Sequence, residues 1–62
     1  MTVGTLLEQM IDDDQEIELV VGQQWIKGLC GDIVCMTADW VRERYVARVR
    51  VRDGALVILG ED

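Results

Sequence analysis

The chain contains no histidine and only two cysteines, Cys30 and Cys35. A zinc site needs about four Cys or His ligands, and a C-x4-C pair alone does not supply them. The same shortage removes the usual base for a cysteine nucleophile. Proline is absent and half of the residues are apolar. Disordered chains are poor in apolar residues, so that class is excluded for most of the chain. No apolar run reaches the roughly 18 residues of a membrane span. Met1 to Met10 carries no basic stretch of the secretory type. The expectation is therefore a cytoplasmic protein whose cysteines are free thiols, used as small buried hydrophobes. No Gly-rich phosphate loop or catalytic motif appears. No metal, no cofactor and no enzymatic reaction are expected.

What is present is short and acidic. Sixty-two residues give one domain over 1–62, below the ~100–150 typical of domains. Such a chain buries only about 60% of its unfolded surface. That leaves little volume for a cavity of several hundred Å3 and makes a partner or oligomer the natural source of extra burial. Twelve acids oppose six bases, a net charge of −6. The excess is uneven. Residues 1–41 carry eight acids against Lys27 alone, whereas 42–62 carry five arginines against four acids.

Val3, Leu6, Leu7, Met10 and Ile11 recur at helical spacing and predict an amphipathic helix over 3–11. Thr2 is placed to cap it; Thr5 with Glu8 offers a later start. Asp12, Asp13 and Asp14 break the pattern at the negative end of the helix dipole. Glu16 to Val21 alternates and predicts a strand with Ile17, Leu19 and Val21 inward. Gly22-Gln23-Gln24 connects it to a second strand over 25–30. Asp32 is placed to cap a helical turn over 33–36, and Thr37 or Asp39 a further turn through Trp40 and Val41. Residues 45–52 alternate strictly, Asp53-Gly54 is a hairpin signal, and 55–59 return. That pairing predicts Val49, Val51, Leu56 and Ile58 on the core face and Arg48, Arg50 and Arg52 on the other. Met1 and Gly60-Glu61-Asp62 read as loose ends. The order is α-β-β-(short α)-β-β. An N-terminal helix packed on a mostly antiparallel four-stranded sheet is the α+β solution.

Three groups of residues are candidates for contact. Asp12, Asp13, Asp14, Glu16 and Glu18 display carboxylates within a short span, either for solubility or for a basic groove on a partner. Arg48, Arg50 and Arg52 project from one side of one strand. They either pair with Glu16 and Glu18 across the sheet or hold carboxylates and phosphates. Direct nucleic-acid binding is disfavoured, because the net charge repels a polyanion and one tyrosine supplies little stacking. Ala55, Val57 and Leu59 form an apolar row on an edge-capable strand. With Trp25 they could join two copies into a homodimer. One of Trp25 and Trp40 is expected in the core and the other at an interface.

The opening Thr2-Val3-Gly4-Thr5-Leu6-Leu7-Glu8, the break at Asp12–Asp14, the strand Glu16-Ile17-Glu18-Leu19 and the closing 49–58 hairpin resemble short acidic bacterial and prophage-type α+β proteins. Anti-CRISPR inhibitors are among them. The resemblance is one of pattern and carries over no functional residue. It implies a non-enzymatic, protein-binding module that occupies a nucleic-acid-binding site on a partner complex. The alternative is a self-assembling structural subunit with an apolar sheet-face interface.

Overall fold

The computed structural model describes residues 1–61; the Met10 side chain and Asp62, expected in the apolar stripe and the loose tail, lie outside the described residues. Thr2 caps the first helix. Its Oγ1 accepts the Thr5 amide at 3.2 Å and donates to Thr5 Oγ1 at 2.9 Å. The later start at Thr5 is not used, since Thr5 is itself helical and makes no capping bond. Helix α1 (Val3–Thr5) continues as a π-helical segment (Leu6–Met10), and Ile11 turns extended at φ −130°. Val3 and Leu7 are buried, and Leu6 and Ile11 pack against the same core.

Two hairpins make the sheet. Strands β1 (Glu16–Val21) and β2 (Gln24–Leu29) are joined by Gly22-Gln23, with Gly22 at φ 59°. Strands β3 (Val46–Arg52) and β4 (Ala55–Gly60) are joined by Asp53 at φ 53° and Gly54 at φ 82°. Both positive values are what a type I′ turn requires. The strand order is β2-β1-β4-β3. The outer pairings are antiparallel, as expected, but the central β1–β4 pairing is parallel. Between β2 and β3 the chain crosses the core face as α2 (Cys30–Met36) and α3 (Asp39–Arg42). A parallel pair needs such a crossover.

The helices cover one face of the sheet. Val3, Leu7, Ile17, Leu19, Val21, Cys30, Ile33, Val41 and Ile58 form the core, each at most 2% exposed. Several expectations are corrected. Helix α2 begins at Cys30, so Asp32 lies inside its first turn and does not cap it. The early amides are satisfied by the acidic loop instead: Cys30 N–H donates to Gln15 O and Gly31 N–H to Asp13 O, both at 2.9 Å. Neither Thr37 nor Asp39 caps α3, whose N-terminal neighbour is Ala38. Thr37 Oγ1 donates back to Ile33 O at 2.5 Å and closes α2. The ends are tied as well. Val46 N–H donates to Met1 O at 3.0 Å, Glu61 N–H donates to Tyr45 O at 2.8 Å, and Gly60 pairs in β4.

The largest correction concerns β3. Val49 and Val51 lie on the face of Ile58 and Leu56, as the register predicts. They are nevertheless 44% and 74% exposed. The strand is at the sheet edge, and the helices pack over β1 and β2. Strand β4, by contrast, is not an edge strand; it lies between β1 and β3. Trp25 and Trp40 are both exposed, so neither fills the core. Trp40 instead lies under the Arg44 guanidinium at 5.8 Å.

The cysteines divide by environment. Cys30 is fully buried and its Sγ donates to Leu7 O at 3.2 Å, while Cys35 is exposed. Burial, with the Asp13 charge second, pushes the Cys30 thiol above its ordinary value of 9.0. A raised value favours the neutral thiol in the fold. That contribution to stability is complete below the unfolded value and is lost as pH climbs through the folded one. Iodoacetamide should therefore label Cys35 in the native protein and Cys30 only after unfolding. The melting temperature should fall above about pH 9, and that fall should shrink in Cys30→Ala. Equal labelling of both thiols in the native state would contradict this.

Candidate functional site

Among the described residues, no helix lies over one face of the sheet. Alternation and register place twelve side chains there in rows that cross four strands. Trp25, Val20, Leu59 and Arg48 form the first row. Lys27, Glu18, Val57 and Arg50 form the second. Leu29 pairs with Glu16, and Ala55 with Arg52, at the far end. The residues expected to support self-association, Trp25, Ala55, Val57 and Leu59, thus do share a face. They are unequally available. Trp25 is 65% exposed, Leu59 and Ala55 are half-buried, and Val57 is 7% exposed.

The charges explain why Val57 is covered. Arg52 Nη2 donates to Glu18 Oε2 at 3.0 Å, and Lys27 Nζ lies 3.6 Å from Glu18 Oε1. The guanidinium reaches across β4, between the positions of Ala55 and Val57, to meet a carboxylate on β1. Glu18 is left 12% exposed between two cations that remain about two-thirds exposed. Exposed pairs of this kind contribute roughly 0–1 kcal/mol each. Their larger effect is to hold long side chains flat over apolar strands. Lys27 also lies 5.3 Å from the Trp25 ring centroid, within cation–π range.

The arginine row therefore divides. Arg52 pairs with Glu18, whereas Arg48 and Arg50 have no carboxylate within ion-pair distance among the described residues. With Lys27, Glu16 and Glu18, the face carries a local charge of +2 on a chain of net −6. Near the Asp53 turn, Glu18, Lys27, Leu29 and Arg52 line a groove of about 840 Å3. It is an open concavity of the surface, not a chamber.

The five acidic candidates are not one patch. Glu16 and Glu18 belong to the open sheet face. Asp12, Asp13 and Asp14 are exposed on the loop that holds the start of α2. No cation lies within ion-pair distance of those three among the described residues. Glu8, in the π-helical segment, pairs with Arg42 of α3. Among the described residues, no three His, Cys, Asp or Glu side chains converge as metal ligands, and no helix is long and apolar enough to cross a membrane.

Lys27 and Leu29 were missed in the sequence. The first hairpin could have found them. Once Gly22-Gln23 is read as a two-residue turn, Glu18 must oppose Lys27 and Glu16 must oppose Leu29. No family model, no curated protein and no solved structure matches the chain.

Proposed function

We propose that this chain is a non-catalytic module that binds another protein through the uncovered face of its sheet. One observation carries the reading: the sheet is packed on one side only, and the other side displays Trp25 at 65% exposure beside Val20, Leu59 and unpaired Arg48. An exposed tryptophan next to aliphatic side chains and guanidiniums is the composition of an interface hot spot. Two carboxylates in mid-sheet, and only one aromatic ring, make the face a poor track for nucleic acid.

A second reading rests on Asp12, Asp13 and Asp14. Their carboxylates are exposed and unpaired among the described residues. They fit a basic groove on a nucleic-acid-handling complex, the contact by which an anti-CRISPR-like inhibitor would act.

Site-specific photo-crosslinking separates the two. A photoreactive amino acid replaces Trp25, Asp13 or Cys35 in the protein expressed in its own cells. A discrete protein adduct from position 25, and none from position 35 on the helical side, is the expected result. An adduct from position 13 alone would move the contact to the acidic loop. An adduct of two copies at position 25 would show self-assembly instead.

A further inference from the structure

The open face is not the only unpartnered part of the sheet. Among the described residues, strand β3 pairs with β4 alone, and its other edge is free over most of its length. The chain's own first residues take the start of that edge. Val3 N–H donates to Arg44 O at 2.8 Å, Val46 N–H donates to Met1 O, and Thr2 bridges Tyr45 in antiparallel sense. Beyond them, Arg48 to Arg52 has no strand beside it among the described residues.

We propose that this edge accepts an extended peptide segment of another protein in which acidic and apolar residues alternate. The inference rests on the binding-module reading and names a partner chemistry for it. Three features select the occupant. The two-residue turn makes Arg52 and Ala55 the closing hydrogen-bonded pair. Alternation then turns the N–H and C=O groups of Val49 and Val51 outward, toward the vacant strand position. An added strand is held through those groups. Its residues opposite Val49 and Val51 lie on the helical side, against two valines that are 44% and 74% exposed. Its residues opposite Arg48, Arg50 and Arg52 lie on the open face, where two guanidiniums lack a carboxylate. The matching segment is acidic-apolar-acidic-apolar-acidic.

Charge decides against the other occupants. A second copy added antiparallel at this edge would set guanidiniums beside guanidiniums, and like charges directly opposite are destabilising. A nucleic-acid strand would leave the outward amides and both valines unused. The competing idea is that the arginines only guard the edge against any pairing, a common device of edge strands.

The test uses the intact protein and a labelled heptapeptide, Thr-Glu-Val-Glu-Val-Glu-Thr, against the same peptide with Lys for Glu. The acidic peptide should bind at least tenfold tighter than the basic one and should weaken with added salt. Amide exchange should slow at Val49 and Val51 and stay unchanged at Arg50. In a variant carrying Arg48→Glu and Arg50→Glu, the preference should reverse. Both positions are exposed and outside the Glu18 cluster, so circular dichroism should show an unchanged fold. No change at the two valine amides under millimolar peptide would overturn the inference. So would equal binding of both peptides, protection that rises with protein concentration alone, or binding of a short single-stranded oligonucleotide in the peptide's place. Failure here with the position-25 adduct intact would leave the binding-module reading standing.

Discussion

Leu19→Ala is expected to cost about 2–5 kcal/mol, the range for truncating a buried leucine, whereas Val51→Ala costs close to nothing. Leu19 is 1% exposed at the centre of β1, flanked by Ile26 on one side and Ile58 on the other. Its removal leaves a void that β-strands on both sides prevent from closing. Natural domains hold about 0.05–0.15 kcal/mol per residue, so a chain of this length has roughly 3–9 kcal/mol in all. The substitution therefore removes a large share of the stability, and at the upper end all of it. Val51 is 74% exposed and loses few contacts on truncation. Urea denaturation followed by circular dichroism measures both. Similar midpoints for the two variants would mean that β3 is covered in solution, and the edge-docking inference would go with it.

Gly60→Ala should be the most damaging small substitution. A Cβ at this position would stand 2.6 Å from Val21 Cγ2 and 3.3 Å from Val3 Cγ2. Both valines are fully buried, and β-branched side chains have few rotamers to retreat into. Relief must come from moving β4 against β1 or lifting α1 off the sheet. Overpacking of this kind costs about 1–3 kcal/mol. For a domain of this size, each kcal/mol lowers the melting temperature by about 4–8 °C. Gly54→Ala provides the contrast in space, since nothing lies within 4 Å of its added Cβ, though its φ of 82° still carries strain. A melting temperature unchanged in Gly60→Ala would show that the β4 end and α1 are not in close contact.

Local pattern carried a good part of the fold. The Thr2 cap, the Ile17-Leu19-Val21 core stripe and the Asp53-Gly54 reversal each depend on residues a few positions apart, and all three are found. Failures cluster where a distant segment supplied what local reading sought nearby. The start of α2 is held by carbonyls of Asp13 and Gln15, so no capping side chain marks it. Both ends looked loose because their partners, Val46 and Tyr45, lie far along the chain. Glu18 looked like a free surface carboxylate until Lys27 and Arg52 closed on it from two other strands. Trp25 and Leu59 became neighbours on one face only through Val20 between them.

Alternation along the backbone decides which side of a strand each residue takes, and that much was settled by the order of amino acids alone. It placed Val49 and Val51 opposite the arginines without any knowledge of neighbours; Val46, even-numbered like the arginines, packs on the core only because the register shifts between Val46 and Arg48. Whether a side is covered depends on where the strand falls in the sheet and which helices cross it. Strand order put β3 at the rim, beyond the reach of two short helices and one π-widened turn. The same alternating valines that would be core in a central strand are therefore solvent-facing here, because burial belongs to the assembled layers and not to the strand.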